Sequence, residues 1–168
     1  MERNIHKLRH GFTLVEILIV VVILAILGAL VVPQFSNAAR LSRENVLKED
    51  LRYLRSQIMV YQAQHNGVAP GYPGGDTRQT PTADAFLAQM TGPTNAGGQN
   101  GTGDGYGYGP YLSRVPVNPM NDMDSVRVVT IWPTEAAGTH GWVYQPSELR
   151  IHADAVGQDD SGTDYFGY

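Results

Sequence analysis

Hydrophobic and polar positions along the chain change character at Pro33. Ile17 to Val32 is an unbroken apolar run, counting Gly28, and extending it back to Phe12 admits only Thr13 and Glu16 as polar residues. Past Pro33 the apolar positions thin to a stripe: Leu47, Leu51, Leu54, Ile58 and Tyr61 recur at spacings of 4, 3, 4 and 3. That is one face of an amphipathic helix, with charges from Arg40 to Arg55 on the other side. Glu44 and Lys48 stand at i,i+4 in the favourable order. Asn66-Gly67 followed by Pro70 reads as the stop. The pattern predicts one long rod, kinked or loosened near Pro33 or Gly28.

Beyond Gly67 the period changes again. Stretches dense in Gly, Pro, Asn and Thr read as loops, interrupted by a short helix over Ala83–Met90 with Asp84 in its first turn. Three β-branched, alternating segments follow: Ser125–Trp132, Gly141–Gln145 and Glu148–Asp154, the last two flanking Pro146-Ser147 as a hairpin. Trp132, Trp142 and Tyr144 read as sheet or helix-facing packing rather than as a ligand box. The expected fold class is α+β, a long N-terminal helix packed on a small antiparallel sheet of about three strands.

The length of the first segment carries a separate implication. About 20 apolar residues span a bilayer as a helix, and 12–32 is long enough. Arg3, Lys7 and Arg9 precede it, which places the N-terminus in the cytoplasm and the chain after Pro33 outside it. No A-x-A cleavage pattern follows the run, so it does not read as a secretory signal. Nor does it read as a plain anchor, because a carboxylate such as Glu16 costs about 2.5–3.5 kcal/mol near the centre of a transmembrane helix and usually has a partner there.

Composition narrows the chemistry. With 168 residues there is room for one domain and an appended segment. A net charge of −4 argues against nucleic acid as a partner. No cysteine is present, so thiol nucleophiles, zinc-thiolate sites and disulfides are excluded, and a small domain needs another staple. Gly101, Gly103, Gly105 and Gly107 alternate without the spacing of a phosphate loop. His65, His140 and His152 lie near no nucleophile motif, and the chain reads as a non-enzyme. His65, four residues past Tyr61, reads as an exposed or half-packed helix residue. The acidic end "HADAVGQDDSGTDYFGY" offers Asp154, Asp159, Asp160 and Asp164 as oxygen ligands for calcium, although no EF-hand spacing is present. A solvated polar tail is the other reading of the same residues.

The N-terminal residues also carry a resemblance. A basic leader ending in Gly11, then Phe12, then Thr13-Leu14-Val15-Glu16, the apolar run and Pro33 together resemble the N-terminal segment of type IV pilins and of type II secretion pseudopilins, most of all the major pseudopilin. The segment "YLSRVPVNP" resembles the family's Tyr-Leu and P-x-D/N-P turn, although Met120-Asn121-Asp122-Met123 departs from its usual continuation. The resemblance implies cleavage by a prepilin peptidase between Gly11 and Phe12 and methylation of the new Phe12 amine. It implies a single-pass inner-membrane protein that assembles, through Glu16 and Pro33, with copies of itself into a periplasmic filament serving protein export. Minor pseudopilins, an inner-membrane assembly platform and membrane lipid are the further implied partners, and a calcium site in the C-terminal loops is the implied cofactor. The corresponding partition is leader 1–11, membrane and assembly helix 12–33, amphipathic helix 34–66, loops with a short helix 67–124, and sheet with acidic tail 125–168. A type IV pilin of a surface fibre, and a membrane-anchored binding domain, are the alternatives.

Overall fold

The computed structural model describes residues 12–168, and for 30–36 the backbone alone. The leader 1–11, with Gly11, and the side chain of Pro33 lie outside the described residues. The chain divides into two compact units, Met1–Leu41 and Ser42–Tyr168.

Helix α1 runs Leu14–Gln64 as a single helical element through both units. Within the first unit, every large apolar side chain from Leu14 to Leu27 is exposed. Among the described residues no helix is long and apolar enough to cross a membrane.

In the second unit the predicted stripe is the core. Leu47, Leu51, Leu54, Ile58 and Tyr61 are fully buried and cluster with Phe86, Met90, Leu112, Trp142, Tyr144 and Ile151. The stripe is longer than the apolar residues suggested, because Glu44 and His65 continue its 3–4 spacing at either end and are buried too. Helix α2, Ala83–Thr91, forms where it was expected, with the Thr82 hydroxyl accepting the Ala85 N–H at 3.1 Å as its N-cap. Its buried Gln89 binds the Gly-rich loops to it, accepting from the Gly71 N–H and donating to the carbonyls of Tyr72 and Gly98.

The sheet is three strands in the order β1 (Val126–Val128), β2 (Trp142–Gln145) and β3 (Arg150–Ala153). β2 and β3 are antiparallel, with Tyr144 opposite Ile151. β1 runs parallel to β2, with Arg127 opposite Val143, so the sheet is mixed and the expectation of an all-antiparallel sheet is corrected. The physical reason is the connection. Parallel neighbours need a crossover of about a dozen residues or more, and 129–141 supplies it where a hairpin could not. The first strand is accordingly shorter than Ser125–Trp132, and Trp132 leaves the sheet. The hairpin turn at Pro146-Ser147 is a 3-10 turn, Pro146–Glu148, closed by Leu149 in the left-handed region at φ 53°.

Candidate functional site: the α1 N-terminus and the C-terminal clamp

Thr13 and Glu16 build the first turn of α1. The Thr13 hydroxyl accepts the Glu16 N–H at 3.2 Å, and the Glu16 carboxylate accepts the Thr13 N–H at 3.4 Å. This reciprocal pair is a capping box, T-x-x-E, and satisfies two of the four donors left open at a helix start. The sequence carries that signature at Thr13-Leu14-Val15-Glu16, yet reading Glu16 only as a charge in a membrane segment misses it. Glu16 therefore has a local role before any partner arrives. It holds a carboxylate at the positive end of the helix dipole, one turn from Phe12. Phe12 itself is 76% exposed, and the large apolar side chains behind it are exposed as well.

The opposite end of the chain returns to α1. The Tyr165 hydroxyl donates to the buried Glu44 carboxylate at 3.1 Å. The Lys48 ammonium lies 4.5 Å from the centre of the Tyr168 ring. Arg55 donates to the carbonyl of Ile151 at 3.0 Å and to the main-chain oxygen of Tyr168. Glu44, Lys48 and Arg55 thus form a polar seam along α1 that receives the C-terminal segment. Behind it, Phe166 stacks on Trp132, and His152 Nδ1 lies 2.6 Å from the Phe166 carbonyl. Burial, and after it the nearby cations Arg55 and Arg150, push the His152 pKa down.

The four candidate calcium ligands do not converge. Asp154, fully buried at the end of β3, accepts from the Ala137 N–H at 2.7 Å, the His140 N–H at 3.2 Å and Arg127 at 3.3 Å. Its carboxylate ties the crossover 129–141 to both outer strands. Asp159 closes its own loop by accepting from the N–H groups of Ser161 and Thr163, the Ser161 hydroxyl and the Tyr168 hydroxyl. Those donors hold its pKa well below the usual carboxylate range. Asp164 accepts from the Gln158 amide at 2.9 Å, and Asp160 is exposed. Among the described residues, no three His, Cys, Asp or Glu side chains are grouped so as to hold a metal ion.

His65 corrects a second expectation. It is buried, not exposed, stacked on Tyr61 with ring centres 3.8 Å apart. Its Nδ1 lies 2.7 Å from the Tyr61 carbonyl and its Nε2 2.9 Å from the Thr94 hydroxyl, so the ring pins the end of α1 to the loop after α2. Asn118, in the P-x-N-P turn, is also buried. It donates to the Gly141 carbonyl at 2.7 Å while its oxygen accepts the Met120 N–H.

Comparison with known proteins bears on the N-terminal region. The family described as the prokaryotic N-terminal methylation motif matches residues 6–32. Type II secretion system core protein G of Pseudomonas aeruginosa is 36% identical over 112 residues, covering 67% of this chain and 68% of that protein. Core protein G of Vibrio cholerae is 32% identical over 113 residues, covering 67% of this chain and 66% of that protein. No solved structure matches significantly.

Proposed function

The chain belongs to the type II secretion core protein G family, the major pseudopilins, and is a structural subunit of a pseudopilus; from that premise we propose how its N-terminus takes it from membrane to filament. A prepilin peptidase cuts the Gly11–Phe12 bond on the cytoplasmic side, where Gly11 lets the protease approach the backbone. The new Phe12 amine is methylated. The apolar half of α1 then rests in inner-membrane lipid, with the domain after Pro33 in the periplasm. Minor pseudopilins and the inner-membrane assembly platform receive it, and copies of the same helix replace lipid as the filament grows, driving export. The motor is another protein.

The observation that carries this reading is the match over residues 6–32, which spans the Gly11–Phe12 bond and the Thr13–Glu16 capping turn. Glu16 in our reading has two successive partners. In the single chain it accepts the Thr13 N–H. In the filament it meets the methylated Phe12 amine of a neighbouring copy, because a buried carboxylate is tolerable only when paired. Glu16→Gln separates the two roles, since Gln also completes a capping box but carries no charge. We expect Glu16→Gln to be inserted, cut and methylated normally, by intact mass, and to yield no sheared filaments. Filaments at the wild-type level from that variant would remove the charge from the mechanism.

A further inference from the structure

The Asp-rich end of the chain has the composition of a calcium loop but not the donor chemistry. A hard cation needs six to eight oxygen lone pairs turned toward it. Both oxygens of Asp154 instead face N–H groups, Oδ1 those of Ala137 and Arg127 and Oδ2 that of His140. Asp159 Oδ1 receives the Ser161 N–H at 2.8 Å, the Ser161 hydroxyl at 2.6 Å and the Thr163 N–H at 2.9 Å. Its Oδ2 receives the Tyr168 phenol at 2.6 Å. Asp164 Oδ1 receives the Gln158 amide. Four donors converge on Asp159 where a metal loop would present acceptors, and the N–H protons around Asp154 and Asp159 would repel a cation placed between them.

The same hydrogen bonds supply what a metal would. Asp159 links residue 161 to residue 168 and so closes the loop. The aromatic end then lies on α1, with the Tyr165 hydroxyl on Glu44, the Tyr168 ring under Lys48, and Arg55 on the main-chain oxygens of Ile151 and Tyr168. Tyr165 is itself part of the core cluster. We propose that residues 154–168 form a calcium-independent clamp, closed on itself through Asp159 and docked on the Glu44–Lys48–Arg55 seam of α1, so that the chain folds without calcium. The proposal rests on these donors and not on family membership, and either can fail without the other.

The test uses the full-length chain in detergent, in excess EDTA and in added calcium. Limited chymotrypsin digestion read by mass spectrometry reports cutting at Tyr165 and Phe166, and circular dichroism reports the unfolding midpoint. Cleavage rate and midpoint should be the same in both conditions. Asp159→Ala should raise cleavage at Phe166 roughly tenfold or more in both, as expected when hydrogen bonds to a charged acceptor are lost from a locally opening segment. Tyr168→Phe, which keeps the ring beneath Lys48 and removes one donor, should lie between and guards against a variant that fails to fold. A lower midpoint or faster cleavage in EDTA, reversed by calcium and not by magnesium, would overturn the proposal. So would wild-type cleavage in both variants.

Discussion

Replacing Asp154 by Ala tests the joint on which the sheet depends. Its side chain is fully buried, and it is the only group described that touches β1 through Arg127, the crossover through Ala137 and His140, and β3 through its own backbone. Removing it strands two N–H groups and the Arg127 guanidinium. Breaking a buried ion pair by deleting one partner costs about 3–5 kcal/mol. The Arg127 side chain keeps 27% of its surface in water, which recovers part of its solvation, so the lower end of about 3 kcal/mol applies. For the unit Ser42–Tyr168 a loss of 1 kcal/mol shifts the midpoint by about 3–4 °C, giving a fall of about 10 °C. Near-ultraviolet circular dichroism can follow it through Trp142, which is fully buried next to the joint. Asp154→Asn, which retains one acceptor, should fall between. Arg127→Ala should cost less than Asp154→Ala, because the backbone N–H groups still hold the carboxylate, and the double variant should be less destabilised than the two single effects added. A midpoint shift under about 2 °C for Asp154→Ala would refute the reasoning, since it would mean the carboxylate is not buried among those donors.

Three further outcomes follow from single side chains. The folded-state pKa of His152 lies below its unfolded value, so the unfolded chain binds the proton first as pH falls. Stability should therefore be highest above the unfolded pKa of about 6.5 and decline as pH drops from there toward the folded value, and His152→Gln should flatten that slope in unfolding midpoints measured from pH 7.5 to pH 5, as rough limits. Tyr61 buries a hydroxyl with no hydrogen-bond partner among the described residues, while its ring stacks on His65. Tyr61→Phe should hold or raise the unfolding free energy, by up to about 1 kcal/mol in urea titration, where an ordinary buried Tyr→Phe change lowers it. Tyr165→Phe, which removes the donor to Glu44, should instead cost about 1–2 kcal/mol by the same measurement.

Periodicity made the core legible and left the polar residues that frame it obscure. Leu47 to Tyr61 could be placed on one face because only a 3–4 repeat of apolar residues buries a stripe. Glu44 and His65 sit on the same repeat, but a charged or titratable residue normally ends such a face. Their burial depends on Tyr165 and Thr94, which lie 121 and 29 residues away in the sequence. The strands were legible as segments and not as a sheet, because alternation says which residues pair with some strand and nothing about direction. The turn chemistry at Pro146-Ser147 gave the antiparallel pair, while the β1–β2 direction follows only from the length of 129–141. Trp132 packs against the sheet as its β-branched setting suggests, on His152 and Arg150 of β3, but it does so from beyond the end of β1, and its third partner, Phe166, lies in the C-terminal segment where no pattern announces it.

The acidic tail shows the same limit of pattern from the other side. Spacing of carboxylates counts possible ligands, but it does not say which way their lone pairs face, and here those of Asp154 face the crossover and Arg127 while those of Asp159 face donors in their own loop. Once Asp159 is committed to Ser161, Thr163 and Tyr168, the C-terminal aromatics are fixed where they can reach α1, and the seam they reach begins at Glu44, near the start of the second unit. The helix that supplies this seam also supplies the bare apolar surface from Leu14 to Leu27. One element therefore serves as spine of the folded domain and, in the function proposed above, as assembly surface. The two uses fall on separate stretches of sequence, so a substitution in the clamp should lower domain stability and leave cleavage at Gly11–Phe12 untouched. A substitution at Glu16 should do the reverse, leaving the unfolding midpoint of the domain unchanged while filaments are lost. A Glu16 variant that also lowered that midpoint would show the two ends to be energetically coupled through α1, against the division drawn from their separate contacts.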